Sequence, residues 1–324
     1  MFTEANIKLW SRIGTRPTFG FVALELVGRH SDLVVISADM MTSGGLEPLR
    51  RKYPKQYIEV GIAEQNMIGI AAGLASEGFR VITTSFAPFQ TMRCCEQIRV
   101  NLGYMRQRIC MVGLASGLVL GTQGFTHCCF EDVAVLRGIP NLVIISPADC
   151  CETAKALCAA IELRDSVYIR LTGGMRNPIV YTQDYEFEVG KSIKLRNGDD
   201  VTIISCGTMV HTSLDAATLL ESRGINATVI NMHTIKPIDK ETIEMASKKS
   251  RLIVTVEEHN VIGGLGSAVA EYKSTLPNAP AQLLIGIPDT FCNAGNYDYL
   301  LNHFALTPES IATKIQNTIS KIQK

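Results

Sequence analysis

Three short stretches of this sequence hold residue types that do chemistry. In Gly61-Ile62-Ala63-Glu64-Gln65-Asn66 a carboxylate stands among Ile62, Ala63, Met67, Ile68 and Ile70, where Tyr57-Ile58-Glu59-Val60 gives way to a helical pattern. Burial among apolar neighbours raises a carboxyl pKa and makes the group a good partner for a heterocyclic nitrogen, while the same residue in a first helical turn complements the helix dipole. The second stretch, Gly121-Thr122-Gln123-Gly124-Phe125-Thr126-His127, is a glycine-bearing turn that presents an imidazole ahead of Glu131-Asp132. Such loops carry catalytic groups, although a lone histidine is more often structural or exposed. The third, Gly263-Gly264-Leu265-Gly266, lies between the strand-end residues Glu257-Glu258-His259-Asn260 and a helix expected near Ser267. It can cradle a phosphate at a helix N-terminus, but it lacks the spaced Gly-x-Gly-x-x-Gly of dinucleotide sites, and a tight turn or close helix packing is the favoured reading.

These groups need elements to hold them. The β-branched runs Leu33-Val34-Val35-Ile36, Val81-Ile82-Thr83-Thr84, Ile109-Cys110-Met111-Val112, Leu142-Val143-Ile144-Ile145 and Val167-Tyr168-Ile169 read as buried parallel strands. Helical stretches alternate with them, Glu64 to Ser76 stopped by Gly78 and Ala148 to Ile161 begun near Pro147 and Asp149. This alternation predicts a doubly wound α/β sheet. Asn177-Pro178 and the polar run Tyr181 to Glu186 contain little to bury and read as a connector, which places a domain boundary near residue 185. Strands Val201 to Ser205, Ala227 to Ile230 and Leu252 to Val256, with helices around Ser213 to Ser222 and Lys240 to Lys248, predict a smaller α/β domain over 186–324. Pro308 to Lys324 reads as a terminal amphipathic helix.

Composition narrows the function classes. Lys plus Arg and Asp plus Glu both number 31, so no net field draws the chain toward nucleic acid or an anionic membrane. The start lacks a secretory pattern and no apolar run is long enough to span a bilayer, so the expected location is cytoplasmic. Ten cysteines include the adjacent pairs Cys94-Cys95, Cys128-Cys129 and Cys150-Cys151. Without a Cys-x-x-Cys pair they read as reduced, mostly buried thiols rather than disulfides or zinc ligands.

Taken in order, Gly61-Ile62-Ala63-Glu64-Gln65-Asn66-Met67, Thr84-Ser85-Phe86-Ala87-Pro88-Phe89, Gly124-Phe125-Thr126-His127 and Glu257-Glu258-His259-Asn260 with its glycines resemble the C-terminal half of transketolase over essentially the whole chain. The resemblance extends to the stand-alone C-terminal subunits of split transketolases. It implies a pyrimidine-binding domain over 1–185 followed by a transketolase C-terminal domain over 186–324. It also implies thiamine diphosphate as cofactor and transfer of a two-carbon ketol unit from a ketose to an aldehyde. Glu64 would hydrogen-bond the pyrimidine and favour its imino tautomer, with Phe89 and Phe86 packing on the ring unless they are plain core residues. Asp39 would lie on the cofactor side. His127 would contact substrate near the reacting oxygens, with Arg16, Ser43 and Gln123 reading the rest of the sugar. The family holds diphosphate and magnesium through a Gly-Asp-Gly motif in a separate N-terminal domain, and none occurs here; Asn197-Gly198-Asp199-Asp200 reads as a turn. The resemblance therefore implies an N-terminal partner subunit and an α2β2 heterotetramer.

The substrate-reading positions depart from the family. Ala115 stands where an extra histidine belongs, Gln123 replaces an aspartate, Phe125 a proline, and a second arginine falls near Gly173, with Arg170 or Arg176 as substitutes. The substrate is accordingly expected to differ from the common pentose phosphates, being a modified, branched or nucleotide-linked sugar. The main alternative is the β-subunit of a 2-oxo acid dehydrogenase E1 component, which shares the domain pair. A deoxyxylulose phosphate synthase, a noncatalytic scaffold and a metal-binding protein built on the cysteine pairs are weaker readings.

Overall fold

The β-branched runs form the spine of the molecule. In the computed structural model, which describes residues 1–322, the strands are β1 (Leu33–Ser37), β2 (Tyr57–Glu59), β3 (Arg80–Phe86), β4 (Ile109–Leu114), β5 (Leu142–Ile145) and β6 (Ser166–Arg170). They are followed by β7 (Ile193–Arg196), β8 (Val201–Ser205), β9 (Ala227–Asn231), β10 (Thr234–Lys236), β11 (Leu252–Asn260) and β12 (Ala281–Ile287). One seven-stranded sheet has the order β10-β5-β6-β4-β3-β1-β2, and a five-stranded sheet has the order β12-β11-β8-β9-β7. Pairing is parallel except at two edges, where β10 runs against β5 and β7 against β9.

Helices cover both faces of the larger sheet, which is why its strands are continuous apolar runs. Val34 and Ile36 pack with Met67, Ile68 and Ala71 of the helix Glu64–Ser76. Leu33 and Val35, one residue out of phase, pack with Phe19, Val22 and Leu26 of the helix Thr15–Arg29. The helix Glu64–Ser76 stops where Gly78 takes φ +90° and Phe79 N–H donates back to the Leu74 carbonyl at 3.1 Å. Asp149 caps the helix Cys150–Ala160 by accepting from Glu152 N–H.

One expectation needs correction. The run Tyr181 to Glu186 was expected to have little to bury. Yet Tyr181 is buried, stacks on Tyr185 with centroids 3.9 Å apart, and accepts from Asn231 Nδ2 at 2.7 Å, while Tyr185 OH donates to Glu152 Oε1 at 2.8 Å. A phenol joins an apolar ring to a hydrogen-bonding head, so a string that reads as polar can still pack. Glu257 to Asn260, expected as strand-end residues, are the last four residues of β11, all of them buried.

The terminal helix runs Pro308–Ile322; Gln323 and Lys324, the end of the expected helix, lie outside the described residues. Among the described residues no helix is long and apolar enough to cross a membrane. The ten cysteines are free, and burial pushes the Cys110 and Cys206 thiols up to about 12.

Candidate active site

Most of the residues singled out in the first half of the chain follow the C-terminal ends of strands in the larger sheet. Asp39 and Ser43 come after β1, Glu64 after β2, Phe86 ends β3 with Phe89 just beyond, Gln123 and His127 come after β4, and Gly173 follows β6. Arg16 begins the helix Thr15–Arg29 instead. In open α/β sheets the crevice beyond the strand C-termini is where ligands bind.

Glu64, Phe86, Phe89 and His127 are brought together there. Glu64 is 3% exposed; its Oε2 accepts from Arg93 Nη1 at 2.7 Å and its Oε1 has only a long contact, 3.4 Å, from Ser85 Oγ. The Arg93 guanidinium also lies over the Phe89 ring, 4.3 Å from its centroid. The imidazole of His127 stands edge-on to Phe89 at 5.3 Å and to Phe86 at 6.4 Å. His127 Nδ1 is engaged by Thr126 Oγ1 at 3.0 Å, which leaves Nε2 for a ligand. The result is a carboxylate beside a wall of three rings, complementary to a flat heterocycle with polar ring atoms.

The other positions separate from this cluster. Arg16 and Ser43 line a cavity of about 290 Å³ together with Thr15, Thr42 and Gly173 to Met175, and burial pulls the Arg16 guanidinium below its ordinary value. Asp39 is exposed at φ +57°, and its backbone N–H donates to Glu59 Oε1 at 2.7 Å. Gln123 is exposed in the turn Gly121–Gln123. Ala115 is fully buried at φ +53°.

Arg170 does not serve as the substitute arginine. Fully within the core, its Nε donates to both Asp132 oxygens at 2.9 and 3.0 Å, and its Nη2 to the carbonyls of Cys129 and Glu258 at 3.1 and 2.8 Å. Burial, the largest single influence, opposes its charge, yet Asp132 together with Tyr168, Cys206 and Glu258 outweighs it and raises the pKa. Arg176 is exposed on the loop beside Gly173.

The smaller sheet braces the His127 loop. Glu258 Oε1 accepts from Leu118 N–H at 2.7 Å, and Asn260 N–H donates to the Phe130 carbonyl at 2.8 Å. The Gly263-Gly264-Leu265-Gly266 stretch binds the chain's own carboxylate: Glu257 accepts from Leu265 N–H at 2.7 Å and Gly266 N–H at 2.8 Å. Burial raises Glu257 to about 7 despite those donors. These donors are occupied, which favours the structural reading of that stretch.

Sequence reasoning missed Arg93 and Asp132. A charged residue shortly after the apolar run Phe86 to Phe89 was the available signal for Arg93. Its partner lies 29 residues away in sequence, beyond any local pattern.

Comparison with known proteins identifies the two domains. Residues 11–175 match the family model of the transketolase pyrimidine binding domain, and residues 190–311 match that of the transketolase C-terminal domain. An apulose-4-phosphate transketolase subunit from Phocaeicola vulgatus is 36% identical, over 95% of this chain and 98% of that protein. The 6-deoxy-6-sulfo-D-fructose transketolase subunit SqwH of a Clostridium species is 38% identical, over 91% of each. A solved structure described as a split gene transketolase in an inactive β4 tetramer superposes with a TM-score of 0.85 at 34% identity, covering 95% of this chain and 98% of that one. These matches favour transketolase over the 2-oxo acid dehydrogenase reading. The chain belongs to the transketolase family, as the counterpart of the stand-alone C-terminal subunits of its split members.

Proposed function

We propose that this chain is the C-terminal subunit of a two-subunit, thiamine diphosphate-dependent transketolase that moves a two-carbon ketol unit from a non-standard ketose to an aldehyde. The carrying observation is the juxtaposition of the buried Glu64 carboxylate with the rings of Phe86, Phe89 and His127. These residues fit a pyrimidine: Glu64 Oε1 retains acceptor capacity for a ring N–H, and the rings supply an apolar wall. When bound, thiamine diphosphate supplies the carbon nucleophile and electron sink that carbon-carbon cleavage needs. Glu64 controls protonation at the pyrimidine, Phe89 and Phe86 orient it, and His127 Nε2 donates to the substrate oxygen on which charge develops. Arg16 and Ser43 read the sugar beyond its reacting carbons, Gln123 its hydroxyls, and Asp39 borders the cofactor.

We assign the diphosphate and Mg2+ site to an N-terminal partner subunit, because this chain lacks the Gly-Asp-Gly motif, and infer an α2β2 assembly with the site at the subunit interface. The division into domains at 1–185 and 186–324 belongs to the same reading, with β10 passing back to complete the first sheet. Ten free thiols suit a reducing compartment, so we place the enzyme in the cytoplasm.

The test is coexpression with an N-terminal subunit that copurifies, calorimetric titration with thiamine diphosphate and Mg2+, and product masses from ketose donors such as L-erythrulose. The complex binds cofactor and transfers the ketol unit, and Glu64→Ala loses about 100-fold or more in turnover. Carbon dioxide release from a 2-oxo acid without ketol transfer would shift the assignment to the dehydrogenase class. A chain active alone removes the need for a partner.

A further inference from the structure

The loop Gly173 to Pro178 borders two cavities. One is the cavity of Arg16 and Ser43; the other, about 430 Å³, lies between this loop, the start of the helix Met209–Glu221, and Tyr297 with Leu301. Gly173, Gly174 and Met175 line both, so the two meet along a ledge.

Asn177 lines the second cavity at 2% exposure, and neither its Oδ1 nor its Nδ2 has a hydrogen-bond partner. Its backbone is tied down, N–H donating to the Ser11 carbonyl at 2.9 Å and the carbonyl accepting from Ser11 Oγ at 2.5 Å. The side-chain amide is therefore held at the cavity wall with both functions unspent, an arrangement that native proteins seldom tolerate without a use. Gly173 makes room for it: at φ +78°, a Cβ there would lie 2.1 Å from Asn177 Nδ2.

The charges around this cavity point to a neutral occupant. Arg176 and Asp298, both exposed, bring one charge of each sign to its lining. Behind Thr208 and Tyr297 lies the buried Glu258, whose Oε2 accepts from Thr208 Oγ1 at 2.9 Å and from Tyr297 OH at 2.6 Å. Gly173 bears no cation, and Arg170 is locked on Asp132. A phosphate would find no buried cation in this lining, whose single cation, Arg176, is exposed, whereas a group offering one donor and one acceptor would match the amide.

We propose that this second cavity is a substrate subsite, read by Asn177, for a neutral hydrogen-bonding substituent at the distal end of the ketose, with an acylamino group the fullest match. The proposal rests on the transketolase reading and narrows its substrate class. It separates the roles of the two cavities, since Arg16 and Ser43 meet the sugar chain before the ledge.

The test uses the coexpressed complex with D-glyceraldehyde as acceptor and four donors: 6-acetamido-6-deoxy-D-fructose, 6-deoxy-D-fructose, D-fructose 6-phosphate, and the four-carbon L-erythrulose, which has no C6 substituent. The acetamido donor is expected to exceed both other hexuloses in kcat/KM by about tenfold, and Asn177→Leu to erase that preference through KM. Independently of turnover, saturation transfer from the full chain to the acetyl methyl group is expected with the native chain and lost in Asn177→Leu. Erythrulose turnover together with preference for the 6-phosphate, or equal use of the 6-deoxy sugar, overturns the subsite alone. Failure to turn over erythrulose or any other ketose overturns the transketolase reading and the subsite with it.

Discussion

Arg93 Nη1 donates to Glu64 Oε2 at 2.7 Å while the same guanidinium covers the face of Phe89. One side chain thus engages both the carboxylate and a ring assigned to the pyrimidine. Glu64 is 3% exposed, and without Arg93 its remaining side-chain contact is the 3.4 Å one from Ser85 Oγ. Arg93→Met is expected to cost about 2 kcal/mol, a figure held down by the half-exposed position of Arg93. The Arg93→Met/Glu64→Gln double variant should recover part of that loss, because the stranded charge is gone. Urea midpoints at constant slope for the double variant and for both single variants, Arg93→Met and Glu64→Gln, provide the measurement, and single losses that simply add in the double variant would mean that the pair carries no coupling.

The second arginine expected from the family resemblance falls near Gly173, whose backbone disfavours any side chain. Its φ of +78° favours glycine, and a Cβ would approach Asn177 Nδ2 to 2.1 Å and Thr208 Cγ2 to 2.7 Å. Gly173→Ala is expected to lose about 1–3 kcal/mol and to lower Tm. An alanine variant as stable as the native chain would show that this loop relaxes freely, and the departure at 173 would then not constrain the substrate site.

How much of this was legible beforehand follows from the range of the interactions involved. The parallel strands of the larger sheet and the helix Glu64–Ser76 are encoded by apolar periodicity and by Gly78, which are local signals. Glu64 and His127 stood out because an ionisable group amid apolar or glycine-rich neighbours is visible in one stretch. Arg93, Asp132 and Asn177 did not, since their significance lies in residues that the fold brings to them from far along the chain. The edge strand β10 was unreadable for a related reason: its three residues lie in the second half of the sequence yet pair with β5 of the larger sheet, with no pattern of their own. Arg170 shows the converse error, an arginine close in sequence to the expected position but turned into the core.

That core pairing is itself testable. Asp132 is fully buried, takes both bonds from Arg170 Nε, and also accepts from Tyr168 OH at 2.7 Å. Asp132→Ala leaves the Arg170 charge buried without its counterion and is expected to cost about 3–5 kcal/mol. The Asp132→Leu/Arg170→Met pair should be far less costly, since it removes both charges. Because Arg170 also holds the carbonyls of Cys129 and Glu258, Asp132→Ala is further expected to speed amide exchange in residues 117–131. Unchanged protection there would dissociate the ion pair from the His127 loop.

Acid should act on this fold through buried imidazoles. His233 is fully buried, stacks on Phe187 at 4.3 Å, and shares Nδ1 with Thr234 Oγ1 at 2.9 Å; burial pulls its pKa from the ordinary 6.5 to about 4, against a smaller opposing pull from Asp239. The unfolded chain therefore takes up a proton at His233 before the folded chain does. Its contribution to stability is complete above about pH 6.5 and is lost progressively as the pH falls toward 4. From pH 7 to 5 this amounts to about 2 kcal/mol, or about 3 °C in Tm for a chain of this length. His259, also lowered to about 4 by burial, acts in the same direction, while Glu257, raised to about 7, acts oppositely between 4.5 and 7. The wild-type curve alone mixes these, so the comparison is with His233→Asn, which does not titrate. Between pH 7 and 5 the variant's Tm should fall about 3 °C less than the native chain's. Parallel curves would assign the acid sensitivity to groups other than His233.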